Sequence, residues 1–515
     1  MARVVVTGSG GVRGGDPRQG VAAFRGIPYA APPVGPRRLQ APVRPEPWSG
    51  VREARRPSAV APQAAVPGGP VWNPGVGDDY LTLDVFCPED FPRGVPVVVW
   101  IHGGAYVGGA GSSPAYFPGA WVRRGLVVVA VNYRLGFEGF GSVAGAPDNR
   151  GLLDQVAALR WVQENIAAFG GDPGRVTVAG ESAGAGSIAA LLRAPSTAGL
   201  FHRAILQSVP GEYWTVPYAR EIAALVATAA RVPNTWEGFA GLPPRRLLEA
   251  TDAVLADVQK HPEAGPRALL PTIYSPLVDG DLVTSDPLDP TGGRGDVDVL
   301  LHANAEEWKL FSALPRSPRP RTAADLAAYA RAARLDEEQF AGFRDRSGAR
   351  SPKEFTDRLM TAALFAEPTR RVGRAQSAAG ARVHRSRLDW RSPNPRIGAG
   401  HAVELAFVFG DPREYEFFLH AVPVLPLLRR VPAIGSRLPG VWPTPAAAAL
   451  AGRMSSAWAD YMLTGDPGWP AVADDLDPVQ VFAAHDGLEF GEPSRDPVWD
   501  EVDWTPWKTL DLQFR

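Results

Sequence analysis

Residues 180–184 of this 515-residue chain read Gly-Glu-Ser-Ala-Gly. The pattern G-x-S-x-G is typical of a sharp turn from a strand into a helix, which lifts a serine hydroxyl clear of a sheet and needs glycine where side chains would collide. The five residues before it, RVTVA, predict a β-branched strand, and residues 185–192, AGSIAALL, predict a helix. This setting favours Ser182 as a nucleophile, and a structural glycine turn is the alternative.

Short apolar runs on either side of this segment predict a sheet. They lie at residues 97–101, 126–131, 176–179 and 297–301, and apolar spacing over 152–169 predicts a helix among them. Runs of this kind indicate strands buried on both faces of a mainly parallel sheet. No linker or internal repeat interrupts the pattern. We therefore expect residues 1–515 to form one α/β domain, with helices on both faces of a mainly parallel central sheet and large loop and helical insertions.

The balance of charges bears on the partners of the protein. The chain has 53 Lys and Arg against 55 Asp and Glu, a formal net charge of −2. Because the two signs are interleaved rather than clustered, we expect no nucleic-acid partner. No apolar run approaches the roughly 18 residues that span a bilayer, and the start of the chain does not resemble a signal peptide. The expectation is a cytoplasmic protein with no membrane partner.

Cysteine content and motif content bear on cofactors. The one cysteine, Cys87, excludes an intrachain disulfide and a cysteine-based metal cluster, and we expect it to be a small buried hydrophobic residue. The chain shows neither a P-loop nor the ligand spacing of a zinc site. We therefore expect neither a cofactor nor a metal.

A second glycine-rich segment follows the predicted strand at 97–101. Residues 102–106 read His-Gly-Gly-Ala-Tyr, at the place where α/β-hydrolases carry a loop of the HGGG type. Rigid backbone N–H groups on such a loop stabilise the oxygen that becomes negative when a serine attacks a carbonyl. We expect donors from Gly104 and Ala105 and a third from Ala183, directly after the serine. A plain tight turn is the alternative, and His102 is expected to hold the loop.

Ordered matches along the chain resemble the type B carboxylesterase and cholinesterase family of serine hydrolases. They are FRGIPYA at 24–30, DYLTLDV at 79–85, NYR at 132–134, GLLDQ at 151–155, FGGDP at 169–173 and GESAGA at 180–185. The resemblance implies an α/β-hydrolase fold and hydrolysis of carboxylic esters. There are two departures: Tyr80 stands where family members with a disulfide carry cysteine, and the Gly-Gly-Ala loop is similar to that of bacterial p-nitrobenzyl-type esterases.

A serine nucleophile needs a histidine base and a carboxylate to orient it, and in this fold both follow the serine, acid before base. The acid segment of the family is similar to HANAEEW at 302–308, which implies Glu307 as the acid. Glu306 is a rival, and a solvated surface pair is a further alternative. The histidine loop of the family is similar to GAGHAVEL at 398–405, which implies His401 as the base. Three more residues are expected in a buried polar network beside the site: Glu181, Ser208 and Glu404.

These segments together predict acyl transfer from a small-molecule ester to water through a covalent acyl-serine. The protein would act as a monomer or a small homo-oligomer. One alternative is a binding protein that has lost catalysis on the same fold, and another is a lipase or an amidase with the same triad. Five aromatic residues are candidates for an apolar substrate pocket, although each is more commonly part of a core: Tyr106, Tyr213, Trp214, Phe311 and Phe407.

Overall fold

The computed structural model describes residues 3–506, except 66–68, 262–267, 315–319, 321, 413–442, 474–475 and 492–494. The strands in these ranges are β1 Val4–Thr7, β2 Gly10–Arg13, β3 Val21–Pro28, β4 Val51–Glu53, β5 Thr82–Pro88, β6 Val95–Ile101, β7 Val127–Val131, β8 Gly171–Glu181, β9 Arg203–Gln207, β10 Trp214–Thr215, β11 Leu277–Val278, β12 Asp298–Asn304, β13 Val383–Leu388, β14 Pro478–Phe482 and β15 Gly487–Phe490.

The helices of the described residues are α1 Gly119–Val122, α2 Gly136–Phe140, α3 Arg150–Asn165, α4 Ala183–Leu191, α5 Val216–Ala230, α6 Trp236–Ala240, α7 Pro244–Val258, α8 Trp308–Ala313, α9 Ala323–Ala332, α10 Glu337–Arg346, α11 Pro352–Thr361, α12 Glu367–Ala378, α13 Leu405–Val408 and α14 Pro445–Thr464. A π-helical turn, Ala362–Ala366, joins α11 to α12. None of these described helices combines the length and the apolar character that crossing a membrane requires.

A sheet of ten strands lies at the centre of the fold, in the order β15-β14-β13-β12-β9-β8-β6-β7-β5-β3. The neighbours from β14 to β7 pair in parallel. The edge strands β15 on one side, and β5 and β3 on the other, pair antiparallel. Because parallel strands end at the same edge of a sheet, the loops that follow β6, β8 and β12 come together there.

Side chains alternate between two apolar layers along the central strands. On β6, Val97, Val99 and Ile101 belong to one layer, and Val98 and Trp100 belong to the other. The first layer includes α3 and α4, and the second includes α1 and α14. Both faces of the sheet are therefore covered by helices, which explains why its strands read as near-continuous apolar runs.

The predicted fold class is confirmed, with differences at the ends of elements. The strand before the serine is longer than predicted, since β8 begins at Gly171, and β12 continues to Asn304. The helix predicted over 152–169 ends at Asn165, and a 3₁₀ turn, Ile166–Phe169, follows it. Cys87 on β5 is buried as predicted, and burial raises the pKa of its thiol to about 12.

Candidate active site

Ser182 lies at the turn between β8 and α4. Its φ of 56° and ψ of −122° form a strained combination that residues with a side chain rarely adopt. The flanking glycines are required by a close contact with β6: a Cβ on Gly184 would lie 2.0 Å from the carbonyl oxygen of Ile101, and a Cβ on Gly180 would lie 2.8 Å from the same atom. The G-x-S-x-G pattern therefore follows from the packing of this turn against β6.

The loop after β6 lies beside Ser182. A Cβ on Gly104, which has φ of 120°, would lie 2.1 Å from the carbonyl oxygen of Gly108, and Ala105 also has positive φ, 54°. In the described part of the chain, neither the Gly104 N–H nor the Ala105 N–H donates a hydrogen bond to the protein. Ala183 begins α4, and the first N–H groups of a helix lack an acceptor within it. Three N–H groups beside the serine are therefore available to a ligand oxygen.

His102 lies under this loop and is buried. Burial lowers the pKa of its imidazole to about 4, so the ring is neutral near pH 7. Its Nδ1–H donates to the carbonyl of Gly103 at 2.8 Å. The ring also stacks on Tyr133 with 4.4 Å between centroids, and the Tyr133 hydroxyl donates to the His102 carbonyl at 2.7 Å. These contacts hold the glycine-rich loop against the sheet.

Glu307 and His401 come together from segments far apart in the chain. The His401 Nδ1–H donates to Glu307 Oε2 at 2.7 Å, and the His401 backbone N–H donates to the Glu307 carbonyl at 3.1 Å. The other carboxylate oxygen, Oε1, accepts from the backbone N–H of Asn304 and from the hydroxyl of Ser208, each at 2.6 Å. Glu307 is fully buried. Its carboxylate is therefore held by three donors, one of which is the imidazole.

The neighbouring Glu306 has different contacts. Its Oε1 accepts from Lys309 Nζ at 2.7 Å, and its Oε2 accepts from the backbone N–H of Ala399 at 3.0 Å. Partial burial acts to raise the pKa of the Glu306 carboxyl, but these hydrogen bonds and the charges of Lys309 and Arg391 outweigh it and lower the value. Glu306 forms no hydrogen bond or ion pair with His401; it instead binds the backbone of Ala399, in the loop that precedes His401.

Two further buried carboxylates lie around the imidazole. The Oε1 of Glu181 is 3.2 Å from His401 Nε2, and neither atom has a hydrogen-bond partner in the described residues. Glu404 accepts from Asn304 Nδ2 at 2.6 Å and from Gln207 Nε2 at 3.1 Å. The expected polar network of Glu181, Ser208 and Glu404 is thus present. No group of three or more His, Cys, Asp or Glu side chains in the described residues is arranged to hold a metal ion.

Burial and mutual charge shift the pKa values of this cluster. Burial lowers the pKa of His401, but the carboxylates of Glu181 and Glu307 outweigh it and raise the value to about 9. Burial raises the pKa of Glu181 to about 8, against the effect of His401. Burial, together with repulsion from Glu307, raises the pKa of Glu404 to about 7. The groups of this cluster therefore gain and lose protons at pH values near and above neutrality, and they do so as a coupled set.

Two cavities open at Ser182. The larger, of about 690 Å³, also touches Gly104 and His401, and the smaller, of about 50 Å³, also touches Ala183. Phe311 lines both cavities, and its ring centroid is 5.1 Å from that of His401. The serine therefore lies between a large and a small apolar space.

The aromatic candidates for the pocket divide into two groups. Tyr106, Trp214 and Phe311 line the cavities, whereas Tyr213 and Phe407 belong to the core. Sequence reasoning missed the residues that complete the walls. One face of α7 lines the large cavity with Leu247, Thr251 and Leu255, although its apolar spacing in the sequence indicates only a buried helix. Ile273 and Leu310 complete that wall. The small cavity is lined by Phe365 of the π-helical turn, and the sequence carries no signal for such a turn.

A strained serine at the turn between a central strand and a helix, as Ser182 is between β8 and α4, is typical of the α/β-hydrolases. The chain has this fold, with the mainly parallel sheet expected of the class. Because this fold hosts several chemistries, the class alone does not give the reaction.

Comparison with known proteins narrows the class to a family. The sequence model of the carboxylesterase family matches residues 1–421. The para-nitrobenzyl esterase of Bacillus subtilis (strain 168) is 33% identical over 490 residues, which cover 92% of this chain and 94% of that one. The phenmedipham hydrolase of Pseudarthrobacter oxydans is 31% identical over 515 residues, which cover 96% and 98%.

Solved structures agree with these relatives. A thermophilic PNB esterase aligns with a TM-score of 0.82 at 31% identity, covering 96% of this chain and 99% of that chain. The chain belongs to the carboxylesterase family. It is a serine carboxylesterase, which hydrolyses carboxylic esters, and the resemblance identified from the sequence is confirmed.

Proposed function

We propose that Ser182 is the nucleophile of this carboxylesterase, His401 its general base and Glu307 the acid that orients the base. The observation that carries the assignment is the 2.7 Å hydrogen bond from His401 Nδ1 to Glu307. Because Nδ1 carries the hydrogen of that bond, the lone pair of the neutral ring is on Nε2. His401 and Ser182 line the same cavity, so the lone pair serves the serine hydroxyl there.

The reaction proceeds in two acyl transfers. His401 Nε2 takes the proton of Ser182 as the serine oxygen attacks the ester carbonyl, and the N–H groups of Gly104, Ala105 and Ala183 hold the oxyanion. The imidazolium then gives its proton to the departing alcohol, which leaves an acyl-serine. Water repeats the sequence: His401 takes a proton from water, the hydroxide oxygen attacks the acyl carbonyl, and the proton returns to Ser182 as the carboxylic acid leaves.

Glu307, rather than Glu306, is the acid in this mechanism. The charge that His401 gains in each step is stabilised by a carboxylate in contact with it, and Glu307 makes that contact whereas Glu306 is bonded to Lys309. Three donors hold the Glu307 carboxylate in place, so little reorganisation is needed when the imidazole becomes charged.

The substrates are uncharged esters that combine one bulky apolar group with one small group. The support is the difference in volume, about 690 Å³ against about 50 Å³, between the two cavities that open at Ser182. Their walls are mainly apolar, which favours burial of hydrocarbon and aryl groups. Aryl and arylmethyl esters of short acids are the first probes to use, since a relative is named for para-nitrobenzyl esters.

Further properties belong to the same proposal. The protein acts on small molecules in the cytoplasm, without a nucleic-acid partner, as a monomer or a small homo-oligomer. A net charge of −2 and one buried cysteine support this setting. Residues 1–515 act as one domain, since Val5 and Val12 near the start of the chain lie in the same apolar layer as β6.

The test is Ser182→Ala, with Ser113→Ala as the matched control. Ser113 is a serine of the same large cavity and makes no side-chain hydrogen bond in the described residues. Hydrolysis of p-nitrophenyl acetate should fall on the order of 10⁴-fold or more in Ser182→Ala. Turnover of Ser113→Ala should stay within a few-fold of that of the wild type. Mass spectrometry of acid-quenched wild type should find the acyl group on the peptide that contains Ser182.

Two results would contradict the assignment: full turnover in a pure Ser182→Ala sample, or an acyl group on another residue. A panel that varies acyl and alcohol groups, with matched amides included, tests the substrate class through the ratios of kcat/KM. Equal rates for esters with one bulky group and for esters with two would exclude the proposed preference for one bulky and one small group. Faster cleavage of the amides would indicate an amidase.

A further inference from the structure

A third cavity, of about 210 Å³, lies away from the two at Ser182 and shares no lining residue with them. It is next to the C-terminal end of α4, the helix that begins after the serine. Its wall carries two arginines, two hydroxyl side chains and a glycine: Arg193, Arg294, Thr284, Ser285 and Gly292. The polar groups of this wall are mainly hydrogen-bond donors, unlike those of the large cavity.

Arg193 is the deepest charged group of this wall, with only 6% of its surface exposed. Its Nη2 donates to the backbone carbonyl of Pro287 at 3.3 Å and to that of Asp289. Its Nη1 is buried and has no hydrogen-bond partner in the described part of the chain. Arg193 also forms no ion pair with a described carboxylate. An unpaired buried charge is unfavourable, and an anion placed against it would remove that penalty.

Gly292 makes the position of the guanidinium possible. A Cβ at this residue would lie 1.9 Å from Arg193 Nη1 and 3.4 Å from the hydroxyl oxygen of Ser285. The glycine therefore brings the guanidinium and a hydroxyl together at one wall of the cavity. Any larger residue would push the guanidinium away.

Most of the remaining hydrogen-bond donors of the wall already bind protein acceptors. Arg294 pairs with Asp296 through Nε and Nη2, and its Nη1 donates to Thr197 Oγ1 at 3.0 Å, which leaves a second Nη1 hydrogen. The Thr284 hydroxyl donates to the Arg193 carbonyl at 2.8 Å. Arg294 therefore offers one further N–H donor to the cavity, while its charge is balanced by Asp296.

Two carboxylates near Arg193 do not neutralise it by contact. Burial lowers the pKa of the Arg193 guanidinium, and the charges of Asp289 and Asp286 partly offset this effect. The Asp289 carboxylate accepts from the backbone N–H and the hydroxyl of Thr291, and that of Asp286 accepts from the backbone N–H of Leu288. Both carboxylates are thus held by their own turns, and Arg193 Nη1 keeps unused donor capacity.

We propose that this cavity binds a small oxyanion, a phosphate group or a carboxylate, against the guanidinium of Arg193. A volume of about 210 Å³ suits an ion of this size. Guanidinium groups bind both kinds of oxyanion through paired N–H donors, and such charge-assisted bonds are stronger than neutral ones. The site is separate from ester hydrolysis, so its occupation stabilises the folded chain without being a step of the reaction.

The experiment is a thermal unfolding titration of the whole protein with inorganic phosphate in one arm and acetate in the other, at constant ionic strength set with sodium chloride. A ligand that binds the folded state raises the melting temperature in a saturable way. We expect saturation in at least one arm, and the comparison of the arms shows which oxyanion is preferred. A melting temperature that stays constant in both arms, or that rises in both without saturating, would overturn the proposal.

Variants locate the binding. Arg193→Met keeps an apolar stem of similar length and removes the donors, so affinity should fall about tenfold or more, the value of a charged hydrogen bond. Gly292→Ala should weaken binding through displacement of the guanidinium. Arg13→Met, at an exposed ion pair with Glu53, should bind as the wild type does. All three should keep wild-type kcat/KM, which shows that they fold. Unchanged binding by a folded, active Arg193→Met variant would exclude this site.

Discussion

The two halves of the candidate site are built in different ways. The serine side, residues 102–106 and 180–184, is shaped by the backbone: glycines fit where a Cβ would collide with β6 or with the loop itself. The histidine side, residues 302–308 and 398–405 with Ser208, is shaped by buried polar side chains that hold Glu307 and His401. A steric rule is local in sequence, whereas a hydrogen-bond network joins residues from distant elements.

The difference separates what each half contributes. In the proposed mechanism the serine side provides rigid N–H donors and a hydroxyl that faces the cavities, and both change little during the reaction. The histidine side provides proton affinity, which depends on every charge around the imidazole. Damage to the first should therefore affect geometry and stability together, and damage to the second should affect proton transfer while the fold survives.

Beyond the loss of the serine itself, the largest effect is expected on the histidine side, for Glu307→Gln. An amide in this place keeps the shape but not the charge that stabilises the imidazolium, so kcat should fall on the order of 10³- to 10⁴-fold. The control is Glu306→Gln, which removes the charge facing Lys309 and Arg391 and leaves one acceptor oxygen for Lys309 or Ala399; it should stay within about tenfold of the wild type. If the Glu306 variant is the slower one at equal thermal stability, the assignment of the acid is wrong.

The sequence predicted the two sides unequally. On the serine side, the glycine positions and the β-branched strand before Ser182 were enough to predict the turn. Each glycine is required because a Cβ there would collide with the motif itself or with β6. On the histidine side, only the resemblance to a family indicated Glu307, since nothing local distinguishes it from Glu306. Glu307, and not Glu306, is held beside His401 because Ser208 and the backbone N–H of Asn304 donate to it, and the sequence alone does not bring these groups together.

The walls of the cavities were the least predictable part. Phe365 lies on a π-helical turn, and its ring centroid is 4.6 Å from that of His401, although no pattern in the sequence predicts such a turn. Apolar residues of α7 have the spacing of any buried helix. A side chain that lines a cavity has the same chemistry as one that fills a core, so sequence cannot separate the two.

The second prediction tests the serine side through Gly184→Ala. A Cβ there would lie 2.0 Å from the carbonyl oxygen of Ile101, so the turn has to move. A displacement of about 1 Å at the nucleophile lowers activity on the order of 10²-fold, and the strain should lower the free energy of unfolding by about 1–3 kcal/mol. The two losses should appear together, in kinetics and in denaturant unfolding.

Gly452→Ala is the control for this change. Gly452 lies in α14, and a Cβ there would meet nothing within 4 Å. Alanine in an open helical position stabilises by about 0.5–1 kcal/mol relative to glycine and should leave kcat/KM unchanged. A Gly184→Ala variant with wild-type stability and activity would refute the steric account of the motif.

The third prediction weakens the histidine side by one bond. Ser208→Ala removes the hydroxyl that donates to Glu307 Oε1 at 2.6 Å, while the Asn304 N–H continues to donate to that oxygen. A hydrogen bond to a charged group corresponds to about a tenfold change, so kcat should fall by that order and KM should change little. Ser187→Ala is the control, since Ser187 is equally buried but bonds to Gln155. Equal losses in both variants would show that only packing was lost.

The last prediction concerns the pH dependence of kcat/KM, which tests the carboxylates around His401 and needs no change in the maximal rate. If His401 is the base, as proposed, it must be neutral to accept the Ser182 proton, so the rate should rise with pH as the imidazolium loses its proton. Burial lowers the pKa of His401, but Glu181 and Glu307 raise it to about 9, which places the midpoint above the ordinary histidine value of about 6.5. Glu181→Gln removes the carboxylate 3.2 Å from Nε2 and should move the midpoint down. Glu404→Gln should move the midpoint in the same direction by less, because Glu404 is the weakest of the three charges on the ring. A midpoint that stays fixed or rises in Glu181→Gln would show that this carboxylate does not set the proton affinity of the base.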